Sequence, residues 1–210
     1  MSFRDLLLVL LAYCLGSMPF AYAITRWRTG RDIREMGSGN AGATNVLRTQ
    51  GKLLGLLTLL LDAGKAALSV WFCRKWGSAE WMGAAGGAAA VVGHCFPFSL
   101  QFRGGKGVAS GLGAFLFIAP LPTLLALAAF LLEILTLRFV SLGSILGSLT
   151  FGFSLLAFHL IKGWYSLPTA LLGLGTALLL VARHHRNMRN LMKGTESTLW
   201  GKGKDKEKRP

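Results

Sequence analysis

The feature that most constrains this chain is an alternation, from Leu6 to Ala182, of long apolar stretches with short segments carrying Lys and Arg. A helix needs about 20 mostly apolar residues to cross the hydrocarbon core of a membrane, and it satisfies its own backbone hydrogen bonds while doing so. The fold class that follows is all-α and polytopic. With 210 residues, 52% of them hydrophobic, the chain has room for about six or seven passes and no separate soluble domain. Residues 1–200 are expected to form one transmembrane domain, and residues 201–210 a basic, disordered cytosolic tail attracted to anionic lipid.

The first apolar run, Leu6 to Ile24, poses a choice between a cleaved signal peptide and a retained helix. Ala21-Tyr22-Ala23 resembles a cleavage site, but Asp5 offsets Arg4 and the basic residues Arg26, Arg28, Arg31 and Arg34 follow the run. Cationic flanks stay in the cytosol, so the segment is read as a retained helix with an external N-terminus. Leu53–Phe72 and Trp81–Phe96 are the next two passes. The run from Val108 to Leu137 is too long for one upright span, and Pro120 and Pro122 are expected to split it in two. Ser141–Ile161 and Tyr165–Ala182 complete seven, which places the C-terminus in the cytosol.

The net charge of +14 would suggest nucleic acid in a soluble protein. Here 18 of the 23 Lys and Arg residues fall on the cytosolic side of the seven-span arrangement, with Arg4, Arg74, Lys75 and Lys162 outside and Lys65 within a span. The positive-inside rule accounts for that bias, and no nucleic-acid partner is expected. Lys65 lies three residues after Asp62 on one helical face, which suits a mutually paired charge inside the protein.

Two polar stretches interrupt the apolar pattern on the cytosolic side. Gly37-Ser-Gly-Asn-Ala-Gly-Ala-Thr-Asn-Val-Leu-Arg48 combines glycines, which bring backbone N–H groups close to a ligand, with the neutral donors Ser38, Asn40, Thr44 and Asn45 and the guanidinium of Arg48. Successive N–H groups in a turn form an anion-binding nest, and Arg recognises phosphate through paired hydrogen bonds. In the second stretch Gly104, Gly105 and Gly107 surround Lys106 at the start of a new apolar run, so free N–H groups are expected to face an anion beside an ammonium. Neither stretch has the Walker spacing. His184 and Asn187, three apart, close the last apolar run in a segment read as its helical continuation. Cys14, Cys73 and Cys95 have no ligand spacing and read as buried thiols, and His184-His185 has no accompanying carboxylates, so no metal is expected.

Gly37-Ser-Gly-Asn-x-Gly-Ala-Thr-Asn-x-x-Arg48, Gly93-His-x-x-Pro97 running into Phe102-x-Gly-Gly-Lys-Gly-Val-Ala109, and Arg183-His-x-x-Asn187 with Gly194-x-Glu196 together resemble the bacterial acyl-phosphate:glycerol-3-phosphate acyltransferases, the PlsY family. The resemblance extends from Gly16-Ser17 and Pro19-Phe20 to Glu196. It implies seven spans in the bacterial cytoplasmic (inner) membrane and an active site on the cytosolic face. It also implies transfer of a fatty acyl group from acyl phosphate to the sn-1 hydroxyl of glycerol 3-phosphate, giving lysophosphatidate in phospholipid synthesis. The substrates and membrane lipid are the partners, with no cofactor and no obligate protein partner.

Carried over residue by residue, the resemblance assigns substrate and phosphate binding to Ser38, Gly39, Asn40, Thr44, Asn45, Arg48, Gly104, Gly105, Lys106, Ser141, His184 and Asn187, and catalytic roles to His94, His184 and Lys106. Asn190 stands where the family tends to have Arg, and Ser110 where it has Thr. An acyl phosphate is already activated, so its attack by a hydroxyl needs orientation, carbonyl polarisation and a proton acceptor. His94, His184 and a substrate phosphate are the candidates for that acceptor. Without a Ser-His-Asp set, direct transfer is favoured over an acyl-enzyme. The alternative is a small transporter or channel with a cytosolic anion site, which calls for inverted repeats and ionisable groups reaching both faces.

Overall fold

The computed structural model describes residues 2–199; the basic tail expected at residues 201–210 lies outside them. The described chain is all-helical. In order it forms α1 (Phe3–Gly16), α2 (Phe20–Thr29), α3 (Ala43–Gln50), α4 (Lys52–Trp76), α5 (Met82–Cys95), α6 (Val108–Phe115), α7 (Pro120–Thr136), α8 (Val140–Lys162), α9 (Leu167–Arg183) and α10 (His185–Met192). By length and composition four stretches suffice to cross a membrane: Phe3–Thr29, Lys52–Trp76, Met82–Leu100 and Val140–Lys162. The bent pair α9 and α10 makes a fifth if counted as one pass.

The prolines divide the Val108–Leu137 run as expected. Pro120 opens α7, where its missing N–H costs no hydrogen bond. The preceding half is α6, whose 8 residues rise about 12 Å, well short of the hydrocarbon thickness of about 30 Å. It is packed among other helices, chiefly against α4. Gly113 makes that approach close, because a Cβ there would run into the Ala63 backbone.

The first apolar run is not one continuous helix. It breaks at Ser17–Pro19, since Pro19 lacks an N–H and disfavours helical geometry at Met18. The break leaves the Met18 carbonyl to accept a hydrogen bond from Lys65 Nζ at 2.7 Å. The segment after Ala182 departs from expectation in a similar way: the chain bends by 52° between α9 and α10. There the His184 ring sits 2.7 Å from the Leu180 carbonyl and the His184 N–H turns to Val181 O instead, which tightens and ends the last turn of α9.

α1, α4, α5 and α6 pack as one group and α7, α8 and α9 as another, joined where α9 meets α5. Small residues such as Ala66, Ala84, Ala90, Ala114 and Ala177 fill the shared core, with Phe115 packed on Phe151 between the groups. A cleft remains between α4 and α6 on one side and α7 and α8 on the other. Its open end is built from α3, the Gly104–Gly107 segment, α10 and the chain to Glu196.

Candidate active site

The glycine-rich loop before α3 is held from beneath by Asn45. This side chain is buried; its Oδ1 accepts the Ser38 N–H at 3.0 Å, while Nδ2 donates to Met36 O at 2.9 Å and Asn40 O at 3.0 Å. Gly37 takes a positive φ of 54° at this turn, and a Cβ there would strike Asn45 Oδ1. Asn45 thus acts on the loop, and its neighbours Ser38, Asn40, Thr44 and Arg48 line the cleft with it.

The three polar motifs meet in one network at the cleft mouth. Lys106 Nζ donates to Asn187 Oδ1 at 2.6 Å, and Asn187 Nδ2 donates to Glu196 Oε1 at 2.6 Å. Ser141 Oγ donates to the same Glu196 oxygen at 2.7 Å. Arg48 reaches the Ser197 and Thr198 carbonyls, at 3.3 Å each. Burial pushes the Lys106 ammonium down to about 8, against a raising contribution from Glu196, and burial lowers the Arg48 guanidinium from its ordinary value as well. Among the described residues, Arg48 and Lys106 therefore share a partly dehydrated mouth with the Glu196 carboxylate, an arrangement that favours an incoming phosphate.

The second glycine-rich segment corrects one expectation. Gly104 and Gly105 do not present free N–H groups: these bond to Cys95 O at 3.2 Å and His94 O at 3.1 Å. Arg183 fixes the segment from the other side, donating to Gly104 O at 3.2 Å and Gly105 O at 3.0 Å while its guanidinium lies 4.9 Å from the Phe96 ring centre. The loop is a rigid support for Lys106. Gly104 and Gly105 border a smaller pocket beneath the cleft, beside Asp62, Lys65 and His94.

The two histidines occupy different places. His94 lines the cleft, with Nδ1 turned to Lys65 and Asp62. His184 is buried and does not line the cleft, so His184 and Asn187 do not share one face toward it. Its Nδ1 carries the proton, since the Leu180 carbonyl can only accept. Gly39 lies outside the cleft lining and serves the turn, with φ 71° and its N–H on Met36 O. Ser38, Asn40, Thr44, Asn45, Arg48, His94, Lys106, Ser141 and Asn187 are brought together.

Glu196 and Arg183 were not singled out as site residues from sequence. Both stand in the third motif, Arg183 at its start and Glu196 at its end, and their charges were the available signal.

Behind the polar mouth the cleft becomes apolar, lined by Leu59, Leu112, Phe115, Leu127, Phe130 and Phe151. Its volume is about 1500 Å³, open space at the mouth included. It can hold a charged headgroup and a long apolar chain at once.

A family model described as glycerol-3-phosphate acyltransferase matches residues 6–194. A glycerol-3-phosphate acyltransferase of Synechococcus sp. (strain CC9902) is 41% identical over 204 residues, covering 97% of this chain and 100% of that protein. One of Laribacter hongkongensis (strain HLHK9) is 42% identical over 202 residues, covering 93% and 96%. Among solved structures, the glycerol 3-phosphate form of PlsY (YgiH), an integral membrane glycerol 3-phosphate acyltransferase, superposes with TM-score 0.84 at 34% identity, covering 92% of this chain and 94% of that one. The lysophosphatidic acid form of the same protein gives 0.81 at 32% identity.

Proposed function

Since this chain belongs to the glycerol-3-phosphate acyltransferase family, we propose that it moves a fatty acyl group from acyl phosphate to the sn-1 hydroxyl of glycerol 3-phosphate, releasing lysophosphatidate and inorganic phosphate. The observation that carries this reading is the continuity of a cationic mouth with an apolar interior in one cleft. The acyl chain lies among Leu112, Phe115, Leu127 and Phe130, and the phosphates at Arg48 and Lys106, with Ser38, Asn40, Thr44 and Ser141 as neutral donors. The glycerol hydroxyl oxygen bonds to the acyl carbon, the bond from that carbon to the phosphate oxygen breaks, and the hydroxyl proton passes to a phosphate oxygen. The deciding assay combines purified protein, acyl phosphate and labelled glycerol 3-phosphate, with acyl-CoA as control donor. Labelled lysophosphatidate from acyl phosphate alone is expected; product from acyl-CoA only would overturn the donor assignment.

Direct transfer fits a cleft lining in which, among the described residues, no cysteine and no Ser-His pair is positioned as a nucleophile. Cys95 is buried and packed with Val91 and Leu180. Radiolabelled acyl phosphate without acceptor should leave no hydroxylamine-sensitive label on the denatured protein, and Cys95→Ala should keep substantial activity. A chemically competent labelled intermediate would replace direct transfer by an acyl-enzyme.

The alkaline limb of the pH profile follows from Lys106. Its folded-state value is lowered to about 8, so the ammonium is present below that pH and lost above it. The kcat/KM for acyl phosphate should therefore fall as pH rises through about 8, and Lys106→Arg, charged throughout, should move that fall to higher pH. The same limb in the Arg variant would assign it to another group.

We place the chain in a bacterial cytoplasmic membrane with seven passes, N-terminus outside and C-terminus inside, counting α6 as a short pass enclosed by protein and leaving Lys106, in its glycine-rich lead-in, at the cytosolic mouth. Enclosure permits non-helical backbone at membrane depth, and the positive-inside bias supports the direction. A reporter after Leu47 should be cytosolic and one after Gly77 external. Both on one side would break the topology.

A further inference from the structure

Beneath the Gly104–Gly105 segment lies a buried charged cluster that transfer, as proposed above, does not use. Asp62 and Lys65 form an ion pair at 2.8 Å, with side chains only 2% and 3% exposed. Lys65 Nζ also donates to Met18 O at 2.7 Å and sits 3.1 Å from His94 Nδ1.

An ammonium has three hydrogens and no lone pair. Lys65 directs hydrogens to the carbonyl freed by the break before Pro19 and to His94 Nδ1, while its charge is held against the Asp62 carboxylate. At 3.1 Å one group must donate to the other, and the ammonium cannot accept. Nδ1 is therefore the acceptor, and a neutral ring in that state carries its proton on Nε2. The opposite tautomer would aim an N–H at the ammonium, and its remaining acceptor, Asp62 Oδ1, lies 3.4 Å away, beyond the usual N–H···O range.

Among the described residues no hydrogen bond engages Nε2, although His94 borders the cleft. Gly105 provides the clearance: a Cβ at that position would collide with Nε2 and lie 2.7 Å from Ala41 O. An N–H donor with no protein acceptor among the described residues thus sits beside the small pocket bordered by Gly105 and Ala41, on a ring that also lines the cleft and is held by an ion pair on α4.

We propose that His94 donates a hydrogen bond through Nε2–H to an acyl-phosphate oxygen that gains negative charge during transfer, with Lys65 and Asp62 as positioning residues that fix its tautomer. It takes no proton. The hydroxyl proton still passes to a phosphate oxygen, and the imidazole remains neutral from start to finish. This rests on the acyl-transfer reading and removes His94 from the candidates for general base.

The test pairs two substitutions with a spectroscopic readout. A Gln side chain carries its amide nitrogen to about the place of Nε2, whereas Asn reaches only as far as Nδ1. His94→Gln should keep activity within about tenfold of wild type, and His94→Asn should lose about 100-fold or more, chiefly in kcat. Equal loss in both variants, together with an acid limb in kcat/KM that vanishes with them, would make His94 a base and overturn the proposal. In nitrogen-15 NMR of histidine-labelled wild-type protein in nanodiscs, with His94 assigned by its loss in the Gln variant, the ring should carry its proton on Nε2 and not on Nδ1 at the pH of the activity assay. An active enzyme with the proton on Nδ1 overturns the donor assignment alone. A protein that shows Nε2–H but transfers no acyl group overturns the acyl-transfer reading and the donor role with it.

Discussion

Arg48→Ala and Lys106→Ala are each expected to reduce kcat/KM for acyl transfer at least tenfold and up to more than a hundredfold, with the protein still inserted and folded. Both side chains belong to the cleft mouth, where Arg48 holds the Ser197 and Thr198 carbonyls and Lys106 holds Asn187. A charge-assisted contact contributes roughly 1.5–3 kcal/mol, and each 1.36 kcal/mol realised in the transition state is about a factor of ten in rate. Lys106→Ala should be the more severe. It leaves Arg48 as the cation whose charge Glu196 offsets, so an approaching phosphate meets a mouth with no net positive charge, and it leaves Asn187 Oδ1 without its donor. Arg48 is nearer solvent and its bonds go to carbonyls that water can satisfy. Expression level and membrane yield control for insertion, and near-normal activity in both variants would sink the site assignment.

How much of this was legible beforehand divides by the distance over which the information is stored. Apolar runs record burial in lipid locally, so α4, α5, α8 and α9 fall close to their expected bounds, and the prolines mark the start of α7 because the missing N–H acts within one turn. The meeting of Arg48, Lys106, Ser141 and Asn187 was readable only through membrane parity and motif likeness, since those contacts span as many as 150 residues of chain. Three things could not be read. The N–H groups of Gly104 and Gly105 turn back to the end of α5, a consequence of how the loop leaves that helix. His184 turns inward because its ring bonds to the Leu180 carbonyl. The Asp62–Lys65 pair was visible from its spacing, but its third member, His94, comes from another helix 29 residues after Lys65. The break before Pro19 did have a signal, a proline soon after Gly16-Ser17 inside an apolar run.

The largest expected stability effect concerns that pair, and it is expected to be non-additive. Removing one member of a buried ion pair leaves the other as an uncompensated charge, at a cost of about 3–5 kcal/mol, whereas replacing both by apolar groups of similar volume is often nearly neutral. The two single variants should also differ. After Asp62→Leu the ammonium still has Met18 O at 2.7 Å and His94 Nδ1 at 3.1 Å. After Lys65→Met the Asp62 carboxylate has no hydrogen-bond donor among the described residues, since His94 Nδ1, 3.4 Å away, is itself an acceptor. Lys65→Met should therefore be the less stable single variant. The double variant Asp62→Leu/Lys65→Met should be more stable than either, with a coupling of about 2–3 kcal/mol in unfolding measured in detergent. Simple additivity would mean that water or local rearrangement already screens the pair. Activity separates the two roles of the cluster: the double variant regains stability but leaves His94 Nδ1 without its donor, so transfer should remain low in a well-folded protein. If transfer returned along with stability, the pair would serve only to hold α4 against its neighbours.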